Sequence, residues 1–119
     1  MMRAGLLAAA ALLAAPLSAQ DGFAAESLGT TAEQDLECVL WASYTLGTAG
    51  ADAQPQLVNS LTLAVAWFTG LYEGKTGQAI NEPLRARSAT VTQEEIGALG
   101  APCIARLDKF GKRLSSFAD

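Results

Sequence analysis

The chain has 119 residues, of which 50% are hydrophobic and 17% are charged, and its formal net charge is −4. It contains no histidine, which excludes Ser-His and Cys-His nucleophiles and the usual catalytic zinc sites. Two cysteines are too few for a four-thiolate zinc site, and the acidic balance argues against a nucleic-acid-binding protein. A chain of this length supports one domain at most.

The first 19 residues have the pattern of a secretory signal peptide. Arg3 gives a positive start, an apolar run extends from Ala4 to Ala15, and Ala19 marks the expected cleavage point. The run is shorter than the roughly 20 apolar residues that span a bilayer as a helix. We therefore expect a mature protein that is periplasmic or secreted and has no membrane span after cleavage; the alternative is an uncleaved anchor.

Cys38 and Cys103 are the chain's two cysteines. In an oxidising compartment, an even pair in a small domain most simply forms one disulfide. The bond would close a long loop, for which chain-entropy theory gives a stabilisation of about 4 kcal/mol. The alternative is a redox-active pair, but such pairs usually have Cys-x-x-Cys spacing or a base nearby. We therefore expect a structural disulfide.

The first helix is predicted from Ala32 to Leu46. The Thr-Thr-Ala-Glu-Gln sequence that starts at Thr30 offers a capping box, and apolar residues then recur at three- and four-residue steps. Gly47 and Gly50 are predicted to end this helix.

The middle of the chain predicts two further helices. In the first of them, Asp52 can cap the N-terminus, Pro55 fits the first turn and Gly74 is predicted to close the helix. A short helix is then expected around 78–86, interrupted or restarted at Pro83. The longer of the two is apolar on most of its circumference, which predicts a central, buried helix. Its apolar residues are Leu57, Leu61, Leu63, Ala64, Val65, Trp67, Phe68, Leu71 and Tyr72.

The last helix begins at a second capping box, formed by Thr92 and Glu95. Because a proline cannot donate a backbone hydrogen bond, Pro102 predicts a kink or break near Gly100. An apolar seam continues through that point along the whole helix and consists of Ile96, Leu99, Cys103, Leu107, Phe110, Leu114 and Phe117.

These patterns predict an all-α fold, because no segment has the alternation of a β-strand. We expect a small bundle of four to five helices stapled by one disulfide, which ties the first long helix to the last. The expected organisation is a signal peptide at 1–19, a loose N-terminal segment at 20–30 and a single helical domain at 31–119.

The acidic residues Glu33, Asp35 and Glu37 cluster at the start of the first helix. A catalytic pair of carboxylates would need a cleft and a shifted pKa. We favour a solvent-exposed first turn, where negative charge suits a helix N-terminus. The sequence also has no nucleophile motif, phosphate loop or EF-hand. We predict no enzyme, no catalytic residue, no metal site and no cofactor.

Charge is distributed unevenly along the mature chain. Residues 20–82 hold eight acids and one base, whereas residues 83–119 hold six bases and four acids. We expect the two halves to pack together and compensate each other; the alternative is an acidic surface for a basic partner, or self-association.

An aromatic-glycine element lies between the two cysteines, in the sequence Trp-Phe-Thr-Gly-Leu-Tyr-Glu-Gly at 67–74. The chain resembles the HdeA-type family in three features taken together. It is expected to be exported and helical, it has one cysteine in its first long helix and one in its last, and this element lies between them. That family comprises small periplasmic helical proteins stapled by a disulfide, acid-stress chaperones among them. The resemblance covers about 36–114. It implies a disulfide between the two cysteines and a helix-packing element at Trp67 and Gly70. The candidates for helix packing or partner binding are Trp67, Phe68, Gly70 and Tyr72.

The expected function is that of an exported, small, non-enzymatic binding or chaperone-like protein. Its partners would be a protein partner or unfolded client proteins, not nucleic acid. Following the resemblance, acid would shift the net charge of the mature chain from −5 to about +8, counting the new N-terminus, and would loosen the packing and expose apolar helix faces. The alternative is an inhibitor or immunity-type protein that binds one exported partner through its acidic face. A homodimer is a further alternative.

Overall fold

The computed structural model of the protein describes residues 30–118. In this part of the chain there are four α-helices and no strand, which confirms the predicted all-α class. The predicted signal peptide and residues 20–29 of the predicted loose segment lie outside the described residues. The chain from Ala32 onward forms one compact unit. The helices are α1 (Ala32–Thr48), α2 (Pro55–Thr76), α3 (Asn81–Thr90) and α4 (Gln93–Ser116).

Helix α1 begins where the sequence predicts and extends two residues past the predicted end, to Thr48. Near its C-terminus, the Thr45 hydroxyl donates to the carbonyl of Trp41 and the Thr48 hydroxyl donates to that of Tyr44. α1 contacts each of the other three helices. It therefore forms the centre of the bundle, and its residues 38–42 are all buried.

Helix α2 differs from the prediction at both ends. Pro55 is its first residue, a position at which the fixed φ of proline suits a helix. The N-cap is Gln54, whose side chain makes no capping bond, so the prediction that Asp52 caps the helix is wrong. The helix passes Gly74 and stops at Gly77, which has a left-handed φ of 68° and donates its N–H to the Glu73 carbonyl. Glycine adopts this conformation without the steric cost that other residues meet.

The prediction that most of the circumference of α2 is buried is wrong. Its buried residues form one stripe at steps of three and four residues, whereas Leu57 and Leu63 are exposed. The stripe consists of Leu61, Ala64, Phe68 and Tyr72. Helix α2 therefore packs one face on the bundle and leaves an apolar face accessible.

Helix α3 lies three to four residues later than predicted. Pro83 falls within its first turn, where backbone N–H groups have no partner inside the helix. The N–H that proline lacks therefore costs the helix no hydrogen bond. Just before the helix, the buried Ile80 donates its N–H to the Glu73 carboxylate, which joins the start of α3 to the end of α2.

Helix α4 begins at the predicted capping box. The Glu95 N–H donates to the Thr92 hydroxyl over 3.1 Å, and the Thr92 N–H donates to the Glu95 carboxylate over 3.2 Å. The helix continues through Pro102, so the alternative of a break near Gly100 is wrong. Packing on both sides of the proline explains this continuity. Trp41 lies against Gly100, where an added Cβ would be 3.4 Å from the indole nitrogen, and Cys103 is bonded to α1.

The core joins the buried faces of α1, α2 and α4 around the disulfide. The predicted seam of α4 is buried at Ile96 and Cys103 and half-buried as far as Phe110. Its last two members, Leu114 and Phe117, are exposed. The seam therefore packs inside this chain over most of α4 and is accessible in the last two turns.

Candidate functional site

Asp35 lies in the first turn of α1 and is fully buried, with 0% of its surface accessible. The expectation of a solvent-exposed acidic first turn is therefore wrong for this residue. The physical reason is its register on α1. Asp35 precedes Cys38, Val39 and Ala42 by three, four and seven residues, which places it on the buried face of the helix.

Two cations from other helices neutralise the buried carboxylate. Lys75 at the end of α2 donates to Oδ2 over 2.6 Å, and Arg106 of α4 donates to Oδ1 over 2.6 Å. A buried charge without such partners would be strongly destabilising. Asp35 thus joins the N-terminus of α1 to both α2 and α4.

Arg106 also contacts the aromatic residues and the disulfide. Its guanidinium carbon lies 4.8 Å from the ring centre of Phe68 and 5.9 Å from that of Trp67, within the range of cation–π attraction. A second nitrogen of the same guanidinium lies 3.7 Å from the Cys38 sulfur. One side chain therefore connects the ion cluster, the aromatic element and the covalent link.

The disulfide between Cys38 and Cys103 is present, which confirms that prediction. It joins α1 to α4 across 65 positions of the sequence, with the two Cα atoms 5.5 Å apart, a usual separation for this bond. Asp35 lies three residues before one cysteine and Arg106 lies three residues after the other. Since residues three apart lie on the same side of a helix, the bond brings these opposite charges together. This spacing is visible in the sequence, and sequence reasoning missed it.

The four predicted packing or binding residues fall in different environments. Phe68 and Tyr72 are buried in the core. Trp67 is half-buried and stacks on Phe110 of α4, with ring centres 4.2 Å apart and planes 5° apart. Gly70 is exposed, and a Cβ there would meet nothing within 4 Å, so it packs against no other helix in the described part of the chain. Its alternative role in partner binding stays a prediction.

A second ion cluster joins α1, α3 and α4. Arg87 donates to Glu37 over 2.9 Å and to Glu95 over 2.6 Å. The hydrogen bond to Glu95, followed by that to Glu37, raises the pKa of the Arg87 guanidinium. The hydrogen bond from Arg87, followed by that from the Thr92 backbone, lowers the pKa of Glu95 below its usual 4.5.

The two ion clusters bear on the predicted charge asymmetry. Arg87 and Arg106, from the basic half of the chain, pair with Glu37 and Asp35 from the acidic half. The halves compensate each other in these contacts, as expected. The three acids of the first helix consequently do not form one exposed acidic surface, because Asp35 is buried and Glu37 is paired.

An open groove of about 610 Å³ runs between α2 and α4. Its apolar lining comes from Leu63 on α2 and from Ile104 and Leu107 on α4. Leu63 and Ile104 are 42% and 55% exposed, so the groove presents aliphatic surface to solvent. The polar part of its lining includes the Asp108–Lys112 ion pair, Ser60 and Ser115. We call this feature the α2–α4 groove.

A smaller cavity of about 350 Å³ lies between α1, α3 and the start of α4. Leu40 and Ile96 form part of its apolar wall, and Tyr44 accepts a hydrogen bond from Gln93 at its edge. None of the lining residues within the described part of the chain is charged.

Within residues 30–118, no group of three or more His, Cys, Asp or Glu side chains is placed to hold a metal ion. None of the helices in this range has the length and apolar character that crossing a membrane requires. Comparison with known protein families, with curated proteins and with solved structures finds no match for this chain.

Proposed function

We propose that this protein is an exported, non-enzymatic, chaperone-like binding protein that holds apolar segments of other proteins in the α2–α4 groove. The observation that carries the proposal is the exposure of Leu63 and Ile104 on opposite walls of that groove. A contiguous apolar patch that stays accessible in a folded domain, unlike a single exposed apolar residue, is typical of a protein-binding site.

The occupant is an uncharged apolar segment, because of the composition of the groove's α2 wall. No charged residue occurs on α2 before Glu73, so an apolar segment desolvates no charge on that wall. On the α4 wall, the two charges of the lining already pair with each other over 3.1 Å. Burial of apolar surface, at about 25 cal/mol per Å², therefore supplies the binding energy.

Export is supported by the signal-peptide pattern of the first 19 residues and by the disulfide, which is compatible with an oxidising compartment. The HdeA-type resemblance supports a chaperone-like role in that location. In acid, the general loss of carboxylate charge loosens the packing, while the disulfide keeps α1 tied to α4.

The test measures aggregation of an unfolding client protein by light scattering, at neutral pH and at about pH 2 to 3, below the usual carboxyl range. Wild-type protein should suppress the scattering. Leu63→Ser and Ile104→Ser should each weaken that suppression, because they remove apolar surface from the groove.

Leu57→Ser is the matched control. Leu57 lies on the same helix with 45% exposure, close to the 42% of Leu63, and is not part of the groove lining. The proposal fails if wild-type protein suppresses aggregation at neither pH. The groove assignment fails if the Leu57 and Leu63 variants lose suppression equally.

A further inference from the structure

The cavity of about 350 Å³ between α1, α3 and the start of α4 is apolar at its floor and polar at its rim. We call it the α1–α3 cavity. Leu40 and Ile96 are buried, at 5% and 7% exposure, and form the floor. Tyr44, Ser88 and Gln93 are exposed and lie at the rim. A ligand that enters therefore meets hydrogen-bonding groups first and aliphatic side chains beneath them.

Leu40 is buried but does not belong to the described hydrophobic core around the disulfide. Its neighbours in the sequence, Val39 and Trp41, both belong to that core. The side chain of Leu40 is instead part of the cavity wall. An apolar side chain that lines a cavity lacks part of the dispersion contacts of a close-packed interior, and an apolar ligand supplies them. The floor of the cavity therefore favours a ligand with an apolar body.

The described lining of the cavity carries no charge. Arg87 and Glu95, which adjoin lining residues in the sequence, bond to each other over 2.6 Å, and Arg87 also bonds to Glu37. These charges are therefore neutralised within the second ion cluster. Transfer of an ion from water into uncharged surroundings is costly unless a partner of opposite charge is present. The cavity therefore favours a neutral ligand.

The rim offers both a hydrogen-bond donor and an acceptor. The Tyr44 hydroxyl accepts a hydrogen bond from the Gln93 amide over 3.3 Å, so its own proton can be donated to a ligand. The Ser88 hydroxyl donates to the Leu84 carbonyl over 2.7 Å, so its oxygen can accept from a ligand. A ligand hydroxyl, which donates and accepts at the same oxygen, matches both capacities.

We propose that the α1–α3 cavity binds a small uncharged aromatic alcohol, with its ring against Leu40 and Ile96 and its hydroxyl at the rim. The size fits this class, since small-molecule sites occupy about 300–1,000 Å³ and a cavity of about 150 Å³ holds benzene. A rigid ring also loses less conformational entropy on binding than a flexible chain of similar size. The site is separate from the α2–α4 groove, because no described residue lines both.

The experiment is a titration of the folded, oxidised protein with benzyl alcohol, followed by NMR of its leucine and isoleucine methyl groups. The signals of Leu40 and Ile96 should shift in a saturable way, with a Kd of about 1 mM for a ligand this small. The signals of Leu63 and Ile104 in the α2–α4 groove should stay unchanged. Benzoate, which replaces the alcohol by a charged carboxylate, should leave the cavity signals unchanged at the same concentrations.

A variant isolates recognition of the ligand hydroxyl. Tyr44→Phe keeps the ring and removes the donor, so it should weaken benzyl alcohol binding by about three- to ten-fold, as the loss of one hydrogen bond does. Its affinity for toluene, which has no hydroxyl, should equal that of wild type. Thr48→Val is the matched control, because it removes an exposed hydroxyl from the same helix outside the cavity lining. It should change neither affinity.

Shifts confined to the groove signals, or no saturable shift of the Leu40 and Ile96 signals, would overturn the assignment of the cavity as a binding site. Benzoate binding as tight as that of benzyl alcohol would overturn the selection for a neutral ligand. An equal effect of Tyr44→Phe on benzyl alcohol and on toluene would overturn the recognition of the hydroxyl. Failure of client binding in the α2–α4 groove would leave all these readouts unchanged, so the two proposals are tested separately.

Discussion

Replacement of Asp35 by Asn tests how much the buried ion cluster contributes to stability. The substitution keeps the size of the side chain and removes the charge that Lys75 and Arg106 share at 2.6 Å each. Loss of one partner from a buried ion pair typically costs about 3–5 kcal/mol. Lys75 and Arg106 keep 22% and 14% exposure, so water can solvate part of their charge and the cost should be near 3 kcal/mol.

The assay is denaturant unfolding followed by circular dichroism, with the disulfide intact. Against a total of about 5–15 kcal/mol for a domain, such a loss shifts the midpoint clearly. Glu82→Gln is the matched control, because Glu82 pairs with Arg85 in an exposed i,i+3 bridge whose loss should cost at most about 1 kcal/mol. If Asp35→Asn costs no more than Glu82→Gln, the cluster does not stabilise the fold as described.

Two further predictions concern α2 and the acid range. Gly77→Ala should destabilise the protein by about 1 kcal/mol, because Gly77 has a left-handed φ of 68°. Gly70→Ala should instead stabilise it by up to about 1 kcal/mol, since Gly70 is helical, exposed and has no neighbour within 4 Å of an added Cβ. Thermal unfolding of the two variants measures this contrast, and a loss of stability in Gly70→Ala would contradict it. Because the folded state lowers the pKa of Glu95, the stabilisation from its ionised form is present above the usual value of 4.5 and is lost as the pH falls through the lowered pKa. The difference in unfolding free energy between wild type and Glu95→Gln, measured by denaturant unfolding across this range, should therefore be constant near neutral pH and shrink in acid. A difference that grows in acid would contradict the lowered pKa of Glu95.

The sequence predicts those features of the fold that short segments determine. The capping box at Thr92 and Glu95 is found as predicted, since both of its bonds form within four residues. The start of α1 and the disulfide are likewise correct. In contrast, the sequence leaves a kink and a break near Gly100 as alternatives. The break does not occur, because Trp41 and Cys38 on another helix hold the chain on both sides of Pro102.

The candidate site depends on contacts between helices, which local patterns specify only in part. The register of Asp35 on α1 marks it as buried, and its spacing to Cys38 mirrors that of Arg106 to Cys103. No local pattern connects Lys75 to Asp35, because the two lie 40 positions apart and meet only when α2 packs on α1. The α2–α4 groove could not be predicted from the apolar stripes alone. Leu63 belongs to a largely apolar helix and Ile104 to an amphipathic one, and their exposure depends on how closely those helices approach each other.

The most direct test of the account is to locate a bound client by methyl NMR of the protein labelled at leucine and isoleucine. Addition of a chemically unfolded, reduced client should shift or broaden the methyl signals of Leu63, Ile104 and Leu107 in the groove, while those of Leu57 stay unchanged. Binding that perturbs Leu57 and leaves the groove signals in place, or no perturbation at saturating client, would contradict the claim that the α2–α4 groove is the binding site.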